Sequence, residues 1–383
     1  MFLGIFLLTL AIFWTERRLV ISDPITTKYI INHPLFVFGP GHEKAVNVSF
    51  GYGSIVLVSA DRHRYLRNNI MNPSFSAKNV RAALPTIREI GRKLADRWEA
   101  LGFPGNTVDI SGTLSDAALD VMGDVILEHS FNALGGESEV GRLQRTLLNM
   151  VSSPTKFAQL IDAALSYVPD LIFRVLYYLP IQALHILREY KKITDDLSAQ
   201  LAARARDEGP SDTPDFVGAF VRDDTVPDGE IGVHLRTVLT AGEDTTGTTL
   251  GWILYKLAQM PDLQQELRRE IQLAAQKEMP DYDNMALLNA IINASAALLF
   301  PGELLNKHIY SGGFALAFLG GPGVCLGWRL AISELQVFVV ELVGRFVLSL
   351  PENDSVRARV AMTLVAESAD GKRGIPLHVE HVT

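Results

Sequence analysis

Phe318-Leu319-Gly320-Gly321-Pro322-Gly323-Val324-Cys325-Leu326-Gly327 holds the only cysteine of the chain. A lone cysteine makes no internal disulfide, so it serves either as a small packed hydrophobe or as chemistry. Three glycines and a proline precede it, the composition of a tight loop whose backbone must approach something closely. Directly afterwards, Trp328 to Val340 carries helical apolar spacing, which predicts a helix starting just beyond the loop. Cys325 therefore sits beside a helix N-terminus, where unpaired N–H groups and the helix dipole favour a thiolate over a thiol.

The rest of the chain bounds what that thiol can serve. There are 383 residues, 48% hydrophobic, enough for one large core or several domains. The net charge is −8 and no dense basic stretch is visible, which argues against a nucleic-acid partner. One cysteine excludes a disulfide scaffold and suits a reducing compartment. Met1 to Trp14 is uncharged and almost wholly apolar, then meets Glu16, Arg17 and Arg18. Two readings stand: a membrane anchor with a cytoplasmic body behind it, or a buried first helix. Sequons at Asn47, Asn293 and Asn353 carry little weight, because such triplets are common by chance.

Along the chain, residues 19–60 read as short strands and turns, with a β-type run at Ile55 to Val58. Helical spacing then dominates: Asn79 to Leu101, Leu114 to Leu127, the strongly apolar Phe157 to Leu179, Ile181 to Arg206 and Asp228 to Met260. Pro261 opens a further helix at its first turn, running to about Lys277. The tail, Ala358 to Val382, alternates around Asp370-Gly371 and predicts a β-hairpin. The expected class is mainly α with a small β component.

A second stretch breaks local rules. Ala241-Gly242-Glu243-Asp244-Thr245-Thr246 lies mid-helix, where glycine, two acids and two threonines are a poor way to stabilise the interior. A threonine there can bond its hydroxyl back to the carbonyl one turn earlier, loosening the ladder beside a ligand. An acid next to a hydroxyl is also the minimum for relaying protons. The bland alternative is a helix kinked for packing, with Glu243 and Asp244 simply solvated. A thiolate held in a glycine loop is, for its part, what a soft axial ligand of haem iron requires.

Together the two stretches resemble the cytochrome P-450 superfamily of haem-thiolate monooxygenases, with fungal phrasing. Phe318, Gly321, Cys325 and Gly327 fall at matching places of its cysteine signature, and Ala241 to Thr246 matches its distal-helix signature at every position. His63 and Arg67, ahead of Met71 to Ser76, look like the helix that supplies donors to a haem propionate; an ordinary basic surface is the alternative. The resemblance runs from about Leu19 to the C-terminus. It implies a P-450-like single domain over 19–383 behind a short anchor remnant at 1–18.

By that resemblance, Cys325 is the metal ligand, and Phe318, Gly321, Gly327, Ala241, Gly242, His63 and Arg67 are cofactor contacts. Thr245 and Asp244 are the catalytic pair for oxygen binding and proton delivery. The resemblance further implies haem, O2, a small apolar substrate, an NADPH-dependent cytochrome reductase as partner, and association with the endoplasmic reticulum membrane, the body facing the cytoplasm. Phe157 to Leu179 would cover the substrate channel, and the tip of the C-terminal hairpin would line the pocket.

Three departures stand out. Gly323 occupies the place of the signature arginine. No Glu-any-any-Arg clamp follows Leu288 to Asn293; Glu266-Leu267-Arg268-Arg269 has the letters but comes too early and reads as an ordinary exposed pair. Only 79 residues separate Thr246 from Cys325, so the fold is expected to be incomplete, with a segment missing near 294–316. A non-catalytic remnant that binds haem weakly or not at all is therefore the alternative function. A cysteine hydrolase finds no support, since His308 is only a sequence neighbour of the loop.

Overall fold

The computed structural model describes residues 6–10, 16–20, 24–33, 39–152, 168–169, 172, 175, 177–209, 214–276, 280–298, 318–352, 356–360, 364–368 and 371–382. Most of Phe157 to Leu179 lies outside these residues, as do 299–316 and His308. Helices dominate, as the spacing predicts.

The first elements depart from expectation. Strands β1 (Phe6–Leu10) and β2 (Glu16–Val20) pair antiparallel, Phe6 opposite Val20. The apolar start is thus extended over Phe6–Leu10 rather than a first helix. No helix among the described residues is long and apolar enough to cross a membrane. The strands expected over 19–60 are mainly helices, α1 (Pro24–Asn32) and α2 (Pro40–Ser49). Each starts on a proline, whose fixed φ suits a first helical turn, and this outweighs the β-propensity of their branched residues. Ile55 to Val58 forms a turn instead of a strand. The Ser54 carbonyl accepts the N–H groups of both Leu57 and Val58, just after Gly51 and Gly53 bend the chain at φ 113° and 87°.

Helix α3 (Ala60–Tyr65) runs on into a wider π turn, Leu66–Met71. Ser76 caps α4 (Ala77–Ala100), which buries Ile87, Ile90, Leu94 and Trp98 along one face. After strand β3 (Asn106–Asp109) comes α5 (Ser111–Val121), again prolonged by a π turn, Met122–Leu127. Next are α6 (Glu139–Ser152), α7 (Gln182–Glu208) and α8 (Phe216–Val221).

Helix α9 (Asp228–Gln259) is the axis of the molecule, buried on most of its circumference. It packs most extensively on α5. The approach is so close that a Cβ on Gly247 would stand 2.9 Å from the Ser115 Cα. Glycine there lets the two backbones meet, and Gly251, one turn on, leaves room for the Ile375 side chain.

Helices α10 (Pro261–Ala274), α11 (Ala286–Leu298) and α12 (Trp328–Arg345) complete the layer around α9. The sequence expectation for Arg268, an ordinary exposed position, is corrected here. Its guanidinium is half-buried and donates to the carbonyls of Val343 (3.1 Å) and Phe346 (3.0 Å), pinning α10 to the end of α12. Glu270 caps α11, its two oxygens accepting the Leu287 and Leu288 N–H groups at 2.9 Å.

The C-terminal hairpin is present but shorter than expected. Strands β5 (Arg357–Val360) and β6 (Leu364–Glu367) pair with each other. A tight turn follows, Ser368 N–H donating to the Lys372 carbonyl at 2.9 Å, and across it Glu367 bridges Arg373 antiparallel while the Gly374 N–H donates to the Ala366 carbonyl at 3.0 Å. Beyond Gly374 the chain leaves β6. Strand β7 (Pro376–His381) inserts between β3 and β4 (Phe346–Ser349), antiparallel to both. Leu377 and Val379 are fully buried there, and that burial decides the pairing over local turn chemistry.

Candidate cysteine loop and central-helix site

Loop geometry follows from its glycines. Gly321 adopts φ 65°, and a Cβ on it would collide with the Asn32 side chain at the end of α1. Glycine is thus required by both backbone and packing. Phe318 accepts the Cys325 N–H on its carbonyl at 2.6 Å, closing the loop, and Gly327 leads into α12. Enough of Cys325 reaches solvent for it to be exposed. Protein atoms packed around the sulfur nevertheless push the thiol's pKa up, against the pull of the Gly327 N–H and the Arg67 charge. The expected preference for a thiolate is therefore opposed by desolvation, which a short helix-end contact does not overcome.

Arg67 is brought within electrostatic reach of Cys325, although 258 positions separate them in sequence. His63 lies one turn before Arg67, half-buried; burial and the Arg67 charge lower its pKa. Their turn is anchored by its neighbours. Arg62 donates to the Thr225 hydroxyl (3.1 Å) and carbonyl (3.0 Å) and to Glu230 (3.3 Å), while Tyr65 donates to Asp223 at 2.5 Å. Arg62 thus ties α3 to the start of α9 and leaves His63 and Arg67 available. A Cβ on Gly323, at the place of the signature arginine, would stand 3.2 Å from the Leu319 side chain.

On α9, Ala241 and Thr245 are exposed one turn apart on a helix that is otherwise mostly enclosed. The back-bond expected of threonine is present: Thr245 Oγ1 donates to the Ala241 carbonyl at 2.6 Å, and Thr249 Oγ1 to the Thr245 carbonyl at 2.7 Å. The helix stays unbroken through them. Gly242 faces Met122, whose side chain fills the space a Cβ would need. Glu243 and Asp244 are buried, so the solvated reading fails.

Asp244 is ion-paired with Arg373, which also donates to the Thr248 hydroxyl at 2.8 Å. Arg373 is delivered by the turn before β7. The Ile375 N–H donates to Asp109 at 2.9 Å, fixing the segment against the start of α5. Sequence reasoning missed Arg373, and nothing local marks it, because its partner lies 129 residues away. Cys325 and Arg67 are thus brought together, and Ala241 and Thr245 share an open stripe. Among the described residues, no hydrogen bond or ion pair joins the two groups.

Comparison with known proteins identifies the family. The sequence profile of the Cytochrome P450 family covers residues 11–295, and the chain belongs to that family. The matched residues include the whole of α9 and end before the cysteine loop. Cytochrome P450 monooxygenase 81 of Postia placenta is 27% identical over 302 residues, covering 72% of this chain and 52% of that protein. Cytochrome P450 monooxygenase 205 of the same fungus is 22% identical, covering 96% and 84%. Cytochrome P450 4A10 of Mus musculus is 23% identical, covering 96% and 82%. In the first of these alignments the chain spans about half the length of its relative. The expected superfamily and the mainly α fold are both borne out.

Proposed function

We propose that the chain is a haem-thiolate monooxygenase, inserting one oxygen atom from O2 into a small apolar substrate with electrons from an NADPH-dependent reductase. The observation that carries this is the donor set around Cys325. A solvent-reaching sulfur receives a backbone N–H from Gly327 and stands within reach of the Arg67 guanidinium, with His63 one turn away. One soft ligand beside two nitrogen bases suits iron in a macrocycle bearing carboxylates. The residues present therefore fit haem. Cys325 would hold the iron, His63 and Arg67 the propionates, and the Phe318, Gly321 and Gly327 backbone would shape the sulfur's side. Ala241 and Gly242 would pass close to the other face. When bound, haem would supply O2 activation, to which the Cys325 thiolate would contribute electron density.

The protein's own residues supply the remainder. Thr245 holds its hydroxyl at the open stripe, oriented by the Ala241 carbonyl, where it can donate to or accept from a ligand. Asp244 is the nearest acid in sequence and would move protons once released from Arg373. Membrane attachment, with the body in the cytoplasm at the endoplasmic reticulum, is part of the same reading, supported by the apolar run Met1 to Trp14. The alternative, a non-catalytic remnant, has one observation in its favour: the Asp244 carboxylate is committed to Arg373.

The test is spectroscopic. The chain is produced with haem supplied, reduced and exposed to carbon monoxide. A strongly red-shifted Soret band, abolished in Cys325→Ser, is expected. Absence of haem uptake would favour the remnant and refute the enzyme.

A further inference from the structure

The central helix carries a second acid that the proposed function does not use. Glu243 has no solvent exposure, and neither of its carboxyl oxygens has a hydrogen-bond partner among the described residues. An ionised carboxylate in that position would lack the interactions that normally support its charge. Facing it are Asp116 on α5, Arg145 on α6, Tyr190 on α7, Asp244 on its own helix and Arg373 from the segment before β7.

Both cations are already engaged. Arg373 is paired with Asp244. Arg145 holds Asp116 Oδ2 at 2.7 Å and donates to the Gly112 carbonyl at 3.4 Å. Tyr190 donates to Gln144 Oε1 at 2.7 Å and stands 3.3 Å from the Thr240 hydroxyl. The other Asp116 oxygen, Oδ1, is buried and without a partner, like both oxygens of Glu243. Two enclosed carboxyls lie within electrostatic reach of one guanidinium, which of the two contacts Asp116 alone, so their charge is balanced when Glu243 keeps a proton.

We propose that Asp116, Arg145 and Glu243 form a buried proton-binding site behind the central helix, with the resident proton on Glu243 and Asp116 ionised against Arg145. Burial favours this distribution. It holds Glu243 well above the usual carboxylate range, while Arg145 pulls down and Asp116 and Asp244 push further up. Asp116 is raised to about 6, chiefly by burial, with Arg145 and Arg97 opposing and Asp120 adding to the rise. At neutral pH the site keeps one proton. Acidification through the Asp116 range adds a second from solvent and leaves Arg145 beside a neutral partner. The resident proton on Glu243 is one residue from Asp244, and its existence does not depend on the haem reading.

Infrared absorption spectra of the full chain, recorded at about pH 5 and about pH 8 and compared with those of variants, test this without any cofactor. The expected result is a carboxylic-acid carbonyl absorption at the alkaline end with a component that is lost in Glu243→Gln, whose amide preserves the shape, and kept in Glu334→Gln, which removes the other fully buried acid raised by burial. A second band is expected to grow in near the Asp116 range and to be missing in Asp116→Asn. Arg145→Gln should raise that second midpoint by about one pH unit or more, a tenfold tighter hold on the proton. No protonated-acid band at the alkaline end of the wild-type spectrum overturns the proposal, so a variant that fails to fold, as seen by circular dichroism, does not remove the test. An absorption unchanged in Glu243→Gln and accounted for by Glu334→Gln also overturns it, as does a midpoint unmoved by Arg145→Gln.

Discussion

Replacing Arg373 by Met should reveal how much the central helix depends on a charge brought from 129 residues away. The Asp244 and Arg373 side chains are 5% and 14% exposed, so the pair is effectively buried. Removing one member of a buried pair typically destabilises by about 3–5 kcal/mol, because the remaining charge keeps its desolvation penalty. Loss of the 2.8 Å bond to the Thr248 hydroxyl adds about 1 kcal/mol. The loss should therefore be about 4–6 kcal/mol at neutral pH. Urea unfolding measures it as a lower midpoint with an unchanged slope. Asp244→Asn in the Arg373→Met background should restore a large part of the loss, since no charge is then left behind. A loss under about 1 kcal/mol, or a double variant no better than the single one, would refute the argument that the pair is an obligatory buried charge balance.

Other perturbations follow from the same geometry. Asp116 is raised in the fold to about 6 from an ordinary 3.8, so its contribution is fully present below about pH 4 and lost as pH rises through 6. The size is about 3 kcal/mol, and Asp116→Asn should flatten that part of the stability–pH curve; an unchanged slope contradicts the assignment. Gly247→Ala must displace the Ser115 backbone and should destabilise by about 1–3 kcal/mol. Gly229→Ala meets nothing within 4 Å and should stabilise by about 0.4–1 kcal/mol, so thermal unfolding should separate the two substitutions in sign. Glu270→Ala frees two N–H groups at the start of α11 and should cost about 1–2 kcal/mol, with faster hydrogen exchange at Leu287 and Leu288 as the local readout. In haem-loaded protein, Thr245→Ala should leave the Soret band intact and uncouple electron use from product; unchanged coupling contradicts its assigned role.

The sequence made legible whatever is set by short-range physics. Helical spacing located α4, α7 and α9 within a few residues of their observed bounds. Glycine content marked the Cys325 loop, and the rule-breaking turn at Ala241 to Thr246 disclosed the Thr245 back-bond. Long-range pairing was not legible. Nothing near Arg373 announces Asp244, and nothing near Arg67 announces Cys325, because each pair is made by topology. The tail was legible only in part. Its turn chemistry predicts the short hairpin that pairs Glu367 with Arg373, but the buried faces of Leu377 and Val379 carry the rest of the tail between β3 and β4. Residues 19–60 failed differently: branched side chains outvoted prolines that start α1 and α2. The thiolate preference of Cys325 was argued from the helix end alone, and desolvation by the surrounding loop is a quantity that sequence does not display.

Strand β7 is the middle member of its sheet, though both of its neighbours precede it in the chain. During synthesis, β3 and β4 emerge with nothing to join them, and each remains an unpaired edge until residues 376–381 have been made. The same late segment carries Arg373. The central helix is therefore complete in sequence well before its inner acid can be neutralised by this partner. Charge balance inside the helix and closure of the sheet arrive in one event, which makes β7 and the turn before it the latch of the assembly.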